Sequence, residues 1–398
     1  MSTELASSAI GPTRRRWVVL CLLFGARTGL GYQFQSLASL SEPLIVELGF
    51  DHTTIGSLIG LFMLAGILLS FPAGLAARLA SDRAWVVFGL IALAGGGALA
   101  AWSGSYGSLA IARLLCGVGF VFGTVYLTKM VGDWFEGREL ATAMSVLVMS
   151  WPIGIALGQV LHPWIAVHLG WRAAFMIAGA YCLVAAAVVA IAIPSAPTAG
   201  NSLAGGARLA ARNVVLTLLA AVVYGLFNAS YVIYLSFAPL AIASAGVQPL
   251  AAAAIASVAS WIMIVSAIVA GRFADATGRS DVVIYIGSLA SMASLLALGQ
   301  PGLSWPAVLL FGLVGAAPAG VIMSLTVEAM PAQARALGMG LFYTVFFLLM
   351  TVTPPLAGRL MDGVGTPAAP LALAAALVAG AALACVCFRF VQRLGRRA

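Results

Sequence analysis

Residues 173–193 read Ala-Ala-Phe-Met-Ile-Ala-Gly-Ala-Tyr-Cys-Leu-Val-Ala-Ala-Ala-Val-Val-Ala-Ile-Ala-Ile, twenty-one consecutive positions without a charge. About 20 mostly apolar residues in helical form cross the hydrocarbon core of a bilayer. With Trp171-Arg172 before it and Pro194 after it, the run defines a span over 171–194. Runs of the same kind cover 17–39, 54–77, 84–102, 108–130, 140–161, 213–237, 250–271, 281–299, 305–328, 337–358 and 367–388. The loops between them are mostly short, so successive helices pack antiparallel. The expected fold is an all-α membrane protein of twelve transmembrane helices in two pseudo-symmetric six-helix bundles.

Composition agrees with this pattern. Of 398 residues, 62% are hydrophobic and 8% charged, against roughly 25% charged in an ordinary soluble domain. The net charge of +8 does not form a nucleic-acid patch, because the basic residues sit in short loops between apolar runs. Arg14, Arg15 and Arg16 precede an apolar run from Trp17 to about Ser39; that run is too long for a signal-peptide core and reads as the first span. The five cysteines lie inside apolar runs without metal-ligand spacing, so they read as small apolar residues. No metal or cofactor is expected. The abundance of Ala and Gly, with Arg as nearly every basic residue, suggests a bacterial source of high genomic GC, and the expected location is its inner membrane.

The basic residues also orient the chain. One side collects Arg14–Arg16, Arg78, Arg83, Lys129, Arg138, Arg208, Arg212, Arg272, Arg279, Arg335, Arg389, Arg393, Arg396 and Arg397; the other has only Arg172 and Arg359. Cytoplasmic loops carry the excess of Lys and Arg, which puts both termini in the cytoplasm. Residues 195–212, rich in Pro, Ala, Gly and Ser, form a cytoplasmic linker between a six-helix half at 1–194 and another at 213–398. The halves repeat at a steady offset: Pro43 and Pro239 are 196 apart, Gly74 and Gly271 are 197 apart, and so are Arg138 and Arg335. Parallel repeats of this kind characterise a large class of secondary transporters.

The loop Gly271-Arg-Phe-Ala-Asp275-Ala-Thr-Gly278-Arg279 resembles the cytoplasmic loop signature of the major facilitator superfamily. Arg113-xxx-Gly117-x-Gly119, Gly170-Trp171-Arg172 with Phe175, and Ser150-Trp151-Pro152-Ile153-Gly154 with Gly158 are similar to its fourth-, sixth- and fifth-helix patterns. The resemblance covers the whole chain. Within the superfamily the first helix is similar to the cyanate-permease-like anion transporter group. The resemblance implies alternating access around a central site and a gate on the cytoplasmic side. Asp275, Gly271, Gly278 and Arg279, with Arg138 and Arg335, are the gating residues it implies. The first-half copy departs from the pattern: Arg78 stands where an aspartate is expected and Ser81 where a glycine is expected. The gate should therefore rest on the second copy, where Asp275 can face a helix N-terminus.

Two arginines carry the chemical reading. Arg27 lies about ten positions into its span, where a charge costs at least ~2.5–3.5 kcal/mol. Arginine cannot escape that cost by losing its proton. It needs a wet cavity, a substrate anion or a carboxylate on another helix, and no span carries a carboxylate at its middle. Arg113, in the fourth span, either contacts the anion or holds helices together. Guanidinium forks suit carboxylate-like oxygens. Thr28, Tyr32 and Gln35 share one helical face, and the 196-residue offset maps them onto Tyr224, Asn228 and Tyr231. Both triplets read as cavity-lining polar groups, with locally bonded packing as the alternative. Trp151 and Tyr343 wall the cavity or simply pack. Pro152, Pro318, Pro354 and Pro355 bend helices. His162 and His168 are expected in an outer loop, solvated.

No phosphate-binding loop, metal constellation or nucleophile triad is present, which excludes ATP drive and an enzyme. The expected function is transport of a small organic or inorganic anion, a carboxylate among the candidates, by a monomer in the lipid bilayer. With no Asp, Glu or His at the centre of a span, uniport, anion exchange or symport with a substrate-borne proton is expected. The alternative is an exporter of a neutral or drug-like compound; a receptor or scaffold on the same fold is a third class.

Overall fold

The computed structural model describes residues 12–76, 79–135, 140–193, 210–330 and 335–394. They are helical almost throughout. In chain order the helices are α1 Pro12–Ser39, α2 Ser41–Leu48, α3 His52–Leu75, α4 Asp82–Ala101, α5 Tyr106–Phe135, α6 Leu140–Leu169, α7 Trp171–Ala192, α8 Ala211–Ser244, α9 Pro249–Thr277, α10 Ser280–Ala297, α11 Ser304–Leu310, α12 Ala319–Ala329, α13 Arg335–Val364 and α14 Ala368–Leu394. Helix is what an apolar solvent demands, since it bonds every interior backbone group within its own segment.

Among the described residues, eleven stretches are long and apolar enough to cross a membrane. The first expected span, α1, is not one of them, because Arg27, Tyr32, Gln33 and Gln35 dilute its apolar run. Its leucines at 20, 23, 30 and 37 are nonetheless fully covered, enclosed by α5, α6 and α7. The span at 305–328 is broken. A π-turn at Phe311–Gly315 follows α11, closed by the Ala316 N–H on the Phe311 carbonyl at 2.7 Å, and Pro318 caps α12.

Three helix contacts position the site. Along α1 and α6, glycines allow backbone to meet backbone: a methyl group at Gly31 would strike the Trp151 carbonyl, and one at Gly154 the Thr28 carbonyl. Small residues at such contacts are how helices approach closely in lipid. The contact of α3 with α13 is built the same way, with Gly56 and Gly60 under the carbonyls of Pro354 and Thr351. Helix α6 also packs on α9.

One end of the molecule, where α3 begins and α13 finishes, is tied shut by Asp362. Its carboxylate accepts from the His52 N–H at 2.9 Å, the Thr53 N–H at 2.7 Å and the Thr53 hydroxyl at 2.5 Å. The next donor of that turn, Thr54 N–H, goes to the Asp51 side chain at 2.7 Å. The first-turn N–H groups of α3, which have no partner within the helix, are thus matched by two acids. Nearby, Glu47 accepts from Arg172 and from Trp171 Nε1, bonds that hold its carboxyl below the ordinary glutamate range, Arg172 contributing most. At the opposite end Lys129 pairs with Asp82 at 2.5 Å, and Arg389 with Asp281 at 2.7 Å and with Glu328. These clamps lie at the ends of spans, where charges reach water.

Candidate solute-binding site

Helix α1 brings Arg27 against α6. Its Nη1 donates to the carbonyls of Leu147 at 2.9 Å and Val148 at 3.3 Å. Val148 lies four residues before Pro152, which has no N–H to give it, so the guanidinium supplies the donor that the proline removes. This tie is structural, but it uses only part of the fork: Arg27 Nε is buried without a partner. No carboxylate pairs with Arg27 among the described residues. The titratable groups that act on it are Tyr343 of α13 and Tyr224 of α8. Arg27 therefore sits where α1 and α6 face α8 and α13.

Aromatic rings continue from that point across both sets of helices. Tyr224 lies 5.5 Å from Phe342 and 5.2 Å from Phe346, and Tyr343 lies 6.0 Å from Phe347. Phe347 reaches Phe120 at 6.5 Å; Phe120 meets Trp151 at 5.0 Å, and Trp151 meets Phe34 at 5.4 Å. Trp151 and Tyr343 thus belong to one belt of rings with Arg27 as its nearby cation. Such a belt can stack on a flat or apolar solute, and the guanidinium can hold a carboxylate end.

Arg113 lies behind the Phe34 and Phe120 end of this belt, through Phe62, which is 5.3 Å from Phe34 and 5.4 Å from Phe120. It is 1% exposed, sits 4.6 Å from the Phe62 ring centroid, and donates to the Gln33 and Phe34 carbonyls at 3.4 and 3.3 Å and to Ser36 Oγ at 3.5 Å. These contacts join α5 to α1 and α3. No carboxylate pairs with it among the described residues, and its Nε is unpartnered.

The two polar triplets differ in what they touch. Thr28 bonds the Phe24 carbonyl of its own helix, Tyr32 lies against His162 at 4.2 Å with the rings tilted, and Gln35 donates to Ser39 at 3.0 Å. That face packs on α6. In the second triplet Tyr224 is in the belt, and Asn228 bonds the Tyr224 carbonyl at 2.8 Å. Tyr231 donates to Ser260 Oγ at 3.0 Å, and Ser260 donates to Gln159 Oε1 at 2.7 Å. This chain of three side chains links α8, α9 and α6, and no motif announced it.

His162 is a correction. It is not in a solvated loop: α6 continues two turns past the expected end, through Pro163, and the ring is fully buried. Among the described residues neither ring nitrogen makes a well-aligned hydrogen bond, and the Gly158 carbonyl lies against one of them. The spacing Gly154, Gly158, His162 carried the signal, since steps of four place all three on the face that meets α1. His168 is exposed, with Nδ1 at 2.8 Å from the Trp164 carbonyl.

Of the gating residues, Gly278 caps α9 at φ 67, a conformation glycine adopts freely, with its N–H on the Ala274 carbonyl. Arg279 is exposed and Gly271 partly buried. Arg138, Arg78 and the side chains of Asp275 and Arg335 lie outside the described residues.

Apolar spanning helices, glycine-notched contacts and a partly buried arginine with no carboxylate partner among the described residues describe a multi-pass membrane transport protein. The Major Facilitator Superfamily model matches residues 17–348 and 220–397, and the chain belongs to that family; it is a transporter and not an enzyme. It is 29% identical, over 96% of each chain, to the 3-(3-hydroxy-phenyl)propionate transporter of Escherichia coli (strain K12). It is 30% identical, over 72% of each chain, to the chloramphenicol resistance protein of Streptomyces lividans. Among solved structures, the inward open conformation of the xylose transporter XylE from E. coli superposes with a TM-score of 0.77 at 14% identity, covering 92% of this chain and 95% of that one. That likeness is one of fold.

Proposed function

We propose that this chain moves a small organic anion of the carboxylate class across the bacterial inner membrane by alternating access. In this reading α1 supplies the twelfth span, two six-helix halves at 1–194 and 213–398 are joined by the linker at 195–212, both termini are cytoplasmic, and the working unit is a monomer. The 28 residues of α1 are long enough at about 1.5 Å each to cross. The tied Asp362 end is then the outer end, and the described arrangement is closed outward. The gate at Gly271, Asp275, Gly278 and Arg279 belongs to the same proposal.

The observation that carries the reading is Arg27, a cation without a carboxylate partner among the described residues, beside aromatic rings where α1 and α6 face α8 and α13. An incoming carboxylate gives its free Nε a partner, and the belt takes the apolar remainder. The relative named for an aromatic propionate accords with this. Arg113, enclosed by protein, supports the site from behind. A second reading, export of a neutral drug-like compound, is favoured by the belt's own lack of charge and by the chloramphenicol-resistance relative.

The test is binding. Purified protein is screened by thermal shift against 3-(3-hydroxyphenyl)propionate, other small carboxylates and chloramphenicol, since a ligand that binds only the folded state stabilises it. Carboxylates should raise the melting temperature of the wild type. Losing a desolvated charge partner costs about 2–5 kcal/mol, so folded Arg27→Ala should bind tens-fold more weakly. Arg27→Lys should fail as well, because it lacks the planar fork. Unchanged affinity in both would remove Arg27 from the site, and a response to chloramphenicol alone would favour the second reading.

A further inference from the structure

His162 is used by nothing described so far, and its surroundings are unusual. The imidazole is fully buried in α6; the Gly158 carbonyl one turn back lies against one nitrogen without forming a well-aligned hydrogen bond, and the other nitrogen has no partner among the described residues. Its neighbours share that condition: Gln35 Oε1 of α1 and Gln159 Nε2 of α6 are also buried without partners. Gln35 and the His162 ring both crowd Gly158, whose added methyl would lie 2.9 Å from Gln35 Cβ and 3.1 Å from His162 Cε1. An unpaired acceptor, an unpaired donor and an imidazole thus sit together in a place that holds a neutral ring well and a charged one badly.

The charged and titratable groups facing His162 sharpen this. From α1 comes Tyr32, whose ring lies 4.2 Å from the imidazole and is tilted 33° to it. From α7 comes Tyr181, 6.2 Å from Tyr32. Arg113 of α5 is the charge that acts on the imidazole, and it repels a second cation. From α9 the neutral Ser260 reaches Gln159, one turn from His162. Among the described residues no carboxylate acts on the ring. Glu42, with Gln159 and Pro163 on either side of His162 in sequence, lines a cavity of about 290 Å³ between α6 and α8. His162 lies within about 10 Å of the Asp362 end, measured along α6.

We propose that His162 is a proton-operated switch of the closed Asp362 end, which packs around the neutral ring and opens when the ring takes up a proton. The proton comes from water in the adjoining cavity, adds to the free lone pair of the imidazole and returns to water when the ring is neutral again; no other bond changes. The sign follows from linkage. The closed arrangement disfavours the protonated ring, so lowering the pH moves the population toward an arrangement in which the ring is hydrated. Gln159, three residues away, accepts the Ser260 bond that joins α6 to α9, so a shift of α6 at His162 acts directly on that contact. The proposal rests on the chain being a transporter and not on the anion reading.

The test needs no substrate. Fluorophores are attached through unnatural amino acids at Gly104 and Gln300, both exposed at the Asp362 end, and energy transfer is recorded in liposomes from about pH 8 to about pH 5.5, which brackets the ordinary imidazole range. The wild type should open on acidification, with the open-to-closed ratio rising at least roughly tenfold, within the limit set by one linked proton. His162→Gln should lose that response. A wild type that does not respond or that closes, or a folded His162→Gln that responds as the wild type does, overturns the proposal. A second measurement stands whether or not that variant folds. The chain has three histidines, so His52→Gln with His168→Gln leaves one imidazole for nitrogen-15 NMR. That ring should charge over the same pH interval in which the end opens; a ring that stays neutral throughout refutes the switch.

Discussion

Removing the Asp362 carboxylate should open the end that it ties. In Asp362→Ala, the N–H groups of His52 and Thr53 and the Thr53 hydroxyl lose one shared acceptor, and α13 loses its charge at the positive end of α3. Each hydrogen bond contributes about 0.5–1.5 kcal/mol net, and a charge at an exposed helix end about 0.3–1 kcal/mol. Water takes over these donors once the end opens, so the sum is discounted to roughly 1–2 kcal/mol, about a five- to thirty-fold change in the closed-to-open ratio. Asp362→Asn keeps an acceptor and should give a smaller shift. Energy transfer between labels at Gly104 and Gln300 reads the ratio directly. Glu47→Gln is the control, because it breaks an ion pair at the same end that joins α2 to α7 and does not touch α13. An unchanged distribution in Asp362→Ala, or an equal change in Glu47→Gln, would refute the assignment of the tie.

Other predictions follow from the helix contacts. Pro152→Ala returns an N–H to the Val148 carbonyl, so Arg27→Ala should cost about 1 kcal/mol less folding stability in that background than in the wild type; additive melting temperatures would mean that Arg27 does not substitute for the missing donor. Gly154→Val should abolish folded protein by forcing α1 from α6, whereas Gly25→Ala, with nothing within 4 Å of the new methyl, should express normally; size-exclusion profiles decide. Glu47 is held below the ordinary glutamate range, chiefly by Arg172. A depressed folded value gives stability that is present above the unfolded range near pH 4.3 and is lost as the pH falls through and below it. Arg172→Gln should therefore lower the melting temperature slightly at neutral pH and make no difference in strong acid; a pH-independent deficit would contradict this.

The helices were legible because a bilayer leaves little choice: a run such as 173–193 has no other stable form in lipid. Arg27 stood out for the same reason, as a charge inside such a run. Its partners did not, because they are backbone carbonyls, although Pro152 marked one of them as lacking a donor. His162 was hidden by Pro163. A proline usually ends a helix in water, but inside a membrane protein neighbouring helices take up the freed groups, and α6 runs on. The link from Tyr231 through Ser260 to Gln159 joins three common residues on three helices, and only the packing brings them together. The π-turn at Phe311–Gly315 likewise depends on how α9 and α10 crowd Gly312 and Gly315, a tertiary effect.

Uptake into proteoliposomes tests the central claim most directly. Radiolabelled 3-(3-hydroxyphenyl)propionate and a set of small carboxylates are offered to liposomes holding wild-type, Arg27→Ala or Arg27→Lys protein in equal folded amounts, with chloramphenicol as the neutral comparison. The account predicts carboxylate uptake by the wild type above that of empty liposomes, competition by other carboxylates and not by chloramphenicol, and loss of uptake in both variants. Movement of chloramphenicol without any carboxylate, or carboxylate uptake undiminished without Arg27, would contradict it.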